Sequence, residues 1–272
     1  MPHILDQIIA HKATEVRQAK RKRPLSQVRD SPLYGREGLS LSQALRQSMH
    51  FGIIAEFKRK SPSQSDIKLE ADPEQIASGY EAAGAAALSV LTDQHFFGAQ
   101  ATDILQARAA VNIPIIRKDF IIDPYQLEEA KALGADAILL IAACLEKQQI
   151  HELTQAAHEL GLEVLCELHA LKEVELLNAQ VDIVGVNNRN LKDFSVSISQ
   201  SIELAKELPA DQLRISESGI EDPQTIVRLR RAGFQGFLIG TYFMRQADPA
   251  AACANLIRQI QEQDELLKGA IA

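Results

Sequence analysis

The stretch Ile53-Ile54-Ala55-Glu56-Phe57-Lys58 (residues 53–58) is a short apolar run that ends in charged side chains, and a loop and a helical pattern follow it. The same arrangement recurs in runs that end at polar or charged residues, at 115–119, 164–167, 184–189 and 213–219. A parallel barrel brings the carboxyl ends of all its strands to one mouth, so these side chains are expected to converge there. Such convergence is what an acid–base active site requires.

Apolar runs alternate with amphipathic helical stretches, which indicates repeated β-α units. Eight strands are predicted at residues 53–58, 86–91, 114–118, 137–141, 163–167, 183–187, 213–217 and 236–239. Helices are predicted at residues 73–83, 101–109, 124–133, 146–160, 171–177, 199–208, 222–232 and 249–268. The fold class is therefore α/β, and we predict a closed (β/α)8 TIM barrel. The alternative is an open doubly wound sheet, which usually has fewer strands and often carries a G-x-G-x-x-G turn that this sequence lacks.

About fifty residues precede the first predicted strand. Within them Ile4, Ile8, Ile9 and Val16 fall near helical spacing, which predicts an amphipathic helix, and a second short helix is predicted at residues 40–48. We expect residues 1–272 to form a single barrel domain, with residues 1–50 as an N-terminal helical extension packed on it.

Composition narrows the function classes. The formal net charge is −7, which argues against a nucleic-acid partner. The longest apolar run, residues 137–145, is far below the roughly 20 residues of a membrane span. The first residues include an early charge and no long apolar segment, so no secretory signal is expected, and the three cysteines are too far apart for a disulfide or zinc pattern. We expect a cytoplasmic protein without a metal.

Glu56 and Lys58 are two residues apart on one predicted strand, so both side chains point the same way. Inward is the expected direction, because Ile54 shares their face while Ala55 and Phe57 occupy the other. Charged groups inside a barrel are costly unless they are paired or used. A structural ion pair is the alternative to a catalytic role.

Three further charged residues end predicted strands: Lys118, Glu167 and Glu217. Crowding by Lys58 is expected to lower the pKa of Lys118 and suit it to general acid catalysis. Partial burial is expected to raise the pKa of Glu167 and let it exchange protons near neutral pH. The alternatives are a surface position for the lysine and, for each glutamate, a purely structural role in orienting a lysine.

Recognition of anions is indicated at other strand ends. Asn187 and Arg189 follow the sixth strand, where a planar guanidinium suits a carboxylate, although loop capping is an alternative role. Ser218-Gly219 and Gly240-Thr241 follow the last two strands, where many barrels bind phosphate with backbone N–H groups. The loop at residues 61–66 is long and polar enough to form a mobile lid, and an ordinary connector is the alternative. The histidines, including His169, indicate no metal site, and Cys166 is expected to face the helices.

Several of these motifs together resemble the indole-3-glycerol phosphate synthase family, over about residues 4–244. The matching stretches are residues 54–63 (IAEFKRKSPS), 91–93 (LTD) with Phe96-Phe97, 118–126 (KDFIIDPYQ), 185–189 (GVNNR), 216–220 (SESGI) and 237–240 (FLIG). The sequence departs from the family's usual pattern at Gln64-Ser65, Ala99-Gln100 and Asn190, none of which is a proposed proton carrier.

The resemblance implies cofactor-free ring closure of 1-(2-carboxyphenylamino)-1-deoxyribulose 5-phosphate to indole-3-glycerol phosphate, with loss of CO2 and water, in tryptophan biosynthesis. It implies a monomer acting on a small phosphorylated substrate. The catalytic set expected on this basis is Glu56, Lys58, Lys118, Glu167, Asn187 and Glu217. The residues expected to bind substrate are Ser61, Phe97, Phe120, Arg189, Ser218, Gly219, Gly240 and Thr241.

Three other functions fit parts of the sequence. A Schiff-base lyase would use Lys118 or Lys58 as a nucleophile, and borohydride would trap its adduct. Another phosphate-binding barrel, such as a sugar-phosphate isomerase, would release no CO2. A non-catalytic scaffold would have no need of charges that face inward.

Overall fold

Parallel pairing joins each strand of the chain to the next and the eighth strand back to the first, so the sheet closes into a barrel. The computed structural model describes residues 4–48, 51–62, 64, 66–190 and 194–269. Within these residues the strands are β1 (Ile53–Phe57), β2 (Ala87–Leu91), β3 (Ile115–Lys118), β4 (Ala137–Ile141), β5 (Glu163–Leu168), β6 (Ile183–Asn187), β7 (Arg214–Glu217) and β8 (Gly236–Ile239). The predicted (β/α)8 TIM barrel is confirmed, and each predicted strand lies within one or two residues of an observed one.

The helices lie outside the barrel or at its ends. They are α1 (Ile4–Lys22), α2 (Leu25–Arg29), α3 (Leu41–Gln47), α4 (Pro73–Ala82), α5 (Gln94–Phe97), α6 (Asp103–Ala110), α7 (Pro124–Ala132), α8 (Lys147–Glu159), α9 (Ile198–Ala205), α10 (Pro223–Arg231), α11 (Thr241–Met244) and α12 (Pro249–Gly269). Aspartate side chains accept hydrogen bonds from the first turns of α4, α7 and α10, each of which begins with proline. Such caps fix where the helices start.

Some details differ from the sequence prediction. The segment predicted as a helix at residues 171–177 is a 3-10 helix, Leu171–Leu176, and a second 3-10 helix covers Ala142–Cys144. Sequence periodicity also missed α2, α5 and α11, because four or five residues are too few to show a helical repeat.

Strand residues alternate between two apolar layers. Ile54, Ile116, Leu165 and Ile215 belong to the cluster that fills the barrel interior. Their neighbours, among them Ala55, Phe57 and Cys166, belong to the larger cluster between the sheet and the helices. The predicted inward direction of β1 and outward direction of Cys166 are both confirmed. The residue two positions further along each of these strands also faces inward. These residues are the charged ones, and they lie at the mouth of the barrel.

The helices before β1 contact both ends of the barrel. Leu41 and Leu45 of α3 are buried in the interior cluster at the end where the strands begin. Ser40 caps α3 and donates a hydrogen bond to Glu163 at the start of β5, 2.6 Å away. At the opposite end, Ile4, Leu5 and Ile8 of α1 line the main cavity. The N-terminal helices therefore plug one end of the barrel and form part of the wall at the other.

Candidate active site

A cavity of about 530 Å³ opens at the carboxyl ends of the strands. All fourteen of the predicted site residues line it: Glu56, Lys58, Ser61, Phe97, Lys118, Phe120, Glu167, Asn187, Arg189, Glu217, Ser218, Gly219, Gly240 and Thr241. The expected convergence is therefore observed. A volume of this size suits a small organic ligand.

Lys118 lies at the centre of a charged cluster in this cavity. Its Nζ is 2.8 Å from Glu167 Oε2 and 3.3 Å from Glu217 Oε2. The cluster thus joins β3 to β5 and β7 across the mouth of the barrel. The two carboxyl groups give the ammonium a defined position from which it can reach a ligand.

The expected pKa shifts of two residues are wrong, and their neighbours explain why. Burial alone would lower the pKa of Lys118, but Glu167, Glu217 and Glu56 outweigh it and raise that pKa. Burial alone would raise the pKa of Glu167, but Lys118 and His169 outweigh it and hold that pKa well below its ordinary value. Lys118 is therefore an ammonium and Glu167 a carboxylate at neutral pH.

Glu217 behaves differently from Glu167. Burial, reinforced by the like charge of Glu167, raises the pKa of Glu217 to about 8, against the opposing effect of Lys118. Two carboxyl groups of one cavity thus differ in protonation, which is how acid and base roles are separated in many active sites. Glu217 is the protonated member near neutral pH.

We expect Glu217→Gln to change how stability depends on pH. Folded Glu217 keeps its proton up to pH about 8, whereas the ordinary value is 4.5, so between these values the folded state binds more protons than the unfolded state. Stability contributed by this group is present below pH 4.5 and is lost as pH rises through 8. The urea midpoint of the variant should therefore gain on the wild type as pH rises through this range. A difference in urea midpoint that does not change with pH would contradict this prediction. The control is Glu203→Gln, at an exposed position.

Lys58 and Glu56 form a separate ion pair on β1. Lys58 Nζ is 2.8 Å from Glu56 Oε1, and Ser89 Oγ lies 3.4 Å from the other carboxylate oxygen. Gly240 leaves the space that this carboxylate occupies, since a Cβ there would lie 2.3 Å from Glu56 Oε1. Gly185 does the same for Glu217, because a Cβ would lie 2.2 Å from Glu217 Oε1. Glycines in or directly after the neighbouring strands therefore help to seat both carboxyl groups.

The end of β6 and the loop after it carry Asn187 and Arg189 into the cavity. Asn187 Oδ1 accepts a hydrogen bond from the Arg189 backbone N–H at 3.0 Å, and Arg189 Nη1 donates to the Phe194 carbonyl at 3.3 Å. The buried Asn188 between them donates from Nδ2 to the carbonyls of Glu217 and Ser218, each 3.0 Å away. Asn188 was not among the predicted site residues, although it holds the ends of β6 and β7 together.

The loops after β7 and β8 present small residues to the cavity. Ser218 has a φ of 68°, which is uncommon for a residue with a side chain, and Gly219 follows with a φ of 69°. Gly240 and Thr241 follow the neighbouring strand β8. Backbone N–H groups in loops of this kind form concave sites for anions.

An aromatic and apolar wall faces the charged cluster. The Phe97 and Phe120 rings lie 6.0 Å apart between centroids, tilted by 40°. Ile4, Leu5 and Ile8 of α1 also line the cavity. The cavity therefore has an apolar side suited to a flat ring and a charged side suited to proton transfer.

His169 is a cavity residue to which sequence reasoning gave no role. Its Nε2 lies 2.7 Å from Glu167 Oε1, and its side chain is 7% exposed. Within the described residues no cluster of three or more His, Cys, Asp or Glu side chains is arranged to hold a metal. The sequence signal that could have identified His169 as a site residue is its position, two residues after Glu167 at the end of the same strand.

The first loop is fixed to the neighbouring β-α unit, because β1 pairs with β8. Ser61 and Gln64 exchange backbone hydrogen bonds of 2.8 and 3.0 Å. Arg245, which follows α11, donates from Nη2 to Gln64 Oε1 at 2.6 Å. Ser63 and Ser65 of the predicted lid lie outside the described residues, and its motion stays a prediction.

Comparison with known proteins agrees with the geometry. The profile of the family described as Indole-3-glycerol phosphate synthase matches residues 5–256. A protein of that name from Bacteroides thetaiotaomicron is 50% identical over 261 residues, which cover 96% of this chain and 100% of the relative. Another, from Variovorax paradoxus, is 43% identical over 266 residues, covering 95% and 100%.

Solved structures with low sequence identity share the fold alone. Thiamine phosphate pyrophosphorylase from Pyrococcus furiosus has a TM-score of 0.58 at 14% identity, covering 78% of this chain and 96% of its own. A mutant tryptophan synthase alpha-subunit from the same organism has a TM-score of 0.57 at 13% identity, covering 78% and 98%. The family match over nearly the whole length and the relatives at 43 and 50% identity are decisive. This chain belongs to the indole-3-glycerol phosphate synthase family.

Proposed function

We propose that the cavity described above binds 1-(2-carboxyphenylamino)-1-deoxyribulose 5-phosphate and closes its indole ring, with loss of CO2 and water. The activity is that of a carbon–carbon carboxy-lyase in tryptophan biosynthesis, and it acts on a phosphorylated small molecule. The observation that carries the proposal is the Lys118–Glu167–Glu217 cluster, which faces an aromatic wall inside one cavity.

The cavity offers a complementary group for each part of this substrate. The backbone N–H groups at Ser218-Gly219 and Gly240-Thr241 suit the phosphate. Arg189 and Ser61 suit the carboxylate on the aromatic ring, and the ring itself would lie against Phe97 and Phe120. Lys58, oriented by Glu56 at 2.8 Å, supplies a further cation for an anionic part of the substrate.

The first step is formation of the carbon–carbon bond. The ring carbon that bears the carboxylate attacks the ketone carbon, and Lys118 gives its proton to the ketone oxygen, which becomes a hydroxyl group. The carboxylate then leaves as CO2, and the electron pair of the broken bond restores the aromatic ring. An ammonium held fully protonated at neutral pH is suited to stabilise the negative charge that develops on the ketone oxygen.

Dehydration completes the reaction. Glu167 takes a proton from the carbon bonded to the amine nitrogen, and the hydroxyl group leaves as water with a proton from the acid side of the site. An ionised Glu167 suits this role as a base, and the protonated Glu217 suits a hydrogen bond to the hydroxyl group. Asn187 would position the amine.

Direct assay of the purified chain tests the proposal. We expect indole absorbance to rise and CO2 to be released in equal amounts when the ribulose-phosphate substrate is added without metal or cofactor. Substrate binding without turnover would favour the scaffold, whereas a borohydride-stable adduct would favour the Schiff-base lyase. Turnover of a sugar phosphate without CO2 release would favour an isomerase.

We also propose that the enzyme acts as a cytoplasmic monomer without a nucleic-acid partner. The net charge of −7 supports the last point, and the free thiols of Cys144, Cys166 and Cys253 suit a reducing compartment. Among the described residues no helix is both long and apolar enough to span a bilayer. The molecular mass measured by light scattering during turnover would test whether the enzyme acts as a monomer.

A further inference from the structure

We propose that His169 is a positioning residue which, as an imidazolium, holds Glu167 ionised and directed toward Lys118 throughout the reaction. The inference rests on the proposed function, because it assigns a partner to the base of the proposed dehydration step. His169 is distinct from the residues that we expect to touch the reacting atoms, since it acts through Glu167.

The hydrogen-bond partners of the His169 ring indicate its charge. Nε2 lies 2.7 Å from Glu167 Oε1, and Nδ1 lies 3.2 Å from the backbone carbonyl of Arg189. A carboxylate and a carbonyl both accept hydrogen bonds. A neutral imidazole has a single N–H and can donate to one of them, whereas an imidazolium donates to both. Only the charged ring satisfies both contacts.

The backbone of His169 is fixed on both sides. Its N–H donates to Glu173 Oε2 at 2.6 Å. Its carbonyl accepts from Gln200 Nε2, which also donates to the Asn187 carbonyl at 3.3 Å. The ring therefore has little freedom to move away from Glu167 and the loop that carries Arg189.

The groups around the ring are mainly negative or neutral. Glu167 faces it from β5 and Glu173 from the 3-10 helix Leu171–Leu176, while Cys144 lies near both glutamates from the 3-10 helix after β4. Lys118 lies beyond Glu167, bonded to its other oxygen. Burial opposes protonation of the ring, but Glu167, the Arg189 carbonyl and Glu173 together raise the pKa of His169.

The arrangement matters most after Lys118 has given up its proton. In the free enzyme Glu167 is held between two cations, with Oε1 against His169 at 2.7 Å and Oε2 against Lys118 at 2.8 Å. Once Lys118 protonates the ketone oxygen it is neutral, and His169 is the cation that stays in contact with Glu167. The imidazolium thus keeps the carboxylate ionised for the proton abstraction that follows.

Two substitutions separate charge from contact. His169→Gln keeps a neutral N–H donor near the position of Nε2, and His169→Asn keeps a donor near Nδ1 but loses the Glu167 contact. Because an adjacent cation lowers a carboxylate pKa by about one to three units, we expect the acid limb of the kcat profile of His169→Gln to move upward by that amount. The loss in kcat should therefore grow as pH falls and shrink toward pH 8, with little change in KM.

His169→Asn should lose kcat at every pH, because Glu167 is then unrestrained at Oε1. His158→Gln is the matched control, since His158 pairs with Asp182 at 2.8 Å on the exposed surface and should leave the profile unchanged. A purely structural His169 would lower the unfolding midpoint and leave the acid limb in place. An acid limb of His169→Gln that overlaps the wild type would overturn the proposal.

Nitrogen NMR of the free wild-type protein gives a readout independent of activity. At pH 7.5 an ordinary histidine, with a pKa of about 6.5, is mostly neutral. We expect one ring to show two protonated nitrogens at this pH, and the signal should be absent from His169→Gln. A neutral single tautomer at His169 would refute the inference, whereas a wild type that forms no indole would refute the proposed function and leave the NMR result standing.

Discussion

Replacement of Lys118 by alanine is expected to lower kcat by about two to four decades, the range that general acid–base catalysis contributes. The physical reason is the loss of the proton that the ketone oxygen receives as the new carbon–carbon bond forms. The ammonium is held 2.8 Å from Glu167 and 3.3 Å from Glu217, so the variant loses a proton donor that the site holds in a defined position. Stopped-flow measurement of indole formation at saturating substrate checks the size of the loss.

A second variant keeps this test independent of folding. Lys118→Ala leaves the buried Glu167 carboxylate without this cation, whereas Lys118→Arg retains a positive charge that does not readily release a proton. We expect Lys118→Arg to unfold near the wild-type urea midpoint and still lose most of its turnover. Lys206→Ala, on an exposed pair with Glu203, should behave as the wild type. Turnover of Lys118→Ala within threefold of the wild type would refute the assignment.

Replacement of Lys12 by methionine is expected to lower the free energy of unfolding by about 3–5 kcal/mol. Lys12 belongs to α1, and its side chain is only 1% exposed. Its Nζ lies 3.0 Å from Asp93 and 2.9 Å from Asp119, which are themselves buried at the ends of β2 and β3. Removing one member of a buried ion pair leaves its partners charged and desolvated, which is the costly case. Urea unfolding at pH 7 measures the loss.

The same helix supplies the control for this prediction. Lys20 pairs with Asp123 at 2.7 Å, but both side chains are partly exposed, so Lys20→Met should cost no more than about 1 kcal/mol.

Acid pH gives a further check. Burial opposes ionisation of Asp119, but Arg117 and Lys12 outweigh it and lower the pKa of Asp119 to about 2. Stability from this carboxylate is present above the ordinary value of 3.8 and lost as pH falls toward 2, so the deficit of Lys12→Met should narrow as the solution is acidified. Equal losses of unfolding free energy in Lys12→Met and Lys20→Met would contradict the prediction that the buried ion pair is the costly one to break.

Sequence alone predicted the fold because each β-α unit carries its own local signals. Period-two alternation placed Glu56 and Lys58 on the inner face, and the alternation of apolar runs with amphipathic stretches located the strands and the helices between them. Strand ends of one barrel share one mouth, so the position of every candidate residue at the cavity followed from the fold. None of these steps needed to know which side chains touch.

Protonation depends on which side chains touch, and that part of the prediction failed. Lys118 was expected to be crowded by Lys58, yet the closed barrel places Glu167 and Glu217 beside it. The neighbours of Glu167 are likewise the cations Lys118 and His169. Lys12 shows the same difficulty, because its two aspartate partners are about 80 and 107 residues away along the chain. Pairings over such distances are set by strand order and register, which no local pattern encodes.

The N-terminal helices contact both ends of the barrel, so they can reach their final positions only after the strands they contact have been synthesised. A ribosome makes α1 and α3 before the residues that they contact, since Asp119 is made about a hundred residues after Lys12, and Gly236, near which Leu45 packs, is made about 190 residues after Leu45. Lys12 must therefore stay hydrated until its carboxylate partners have been made. The apolar residues of α3 can be buried only after β8 has paired with β1. These helices thus reach their final place long after they are made, and a polypeptide stopped before residue 236 would still expose the apolar face of α3 to solvent.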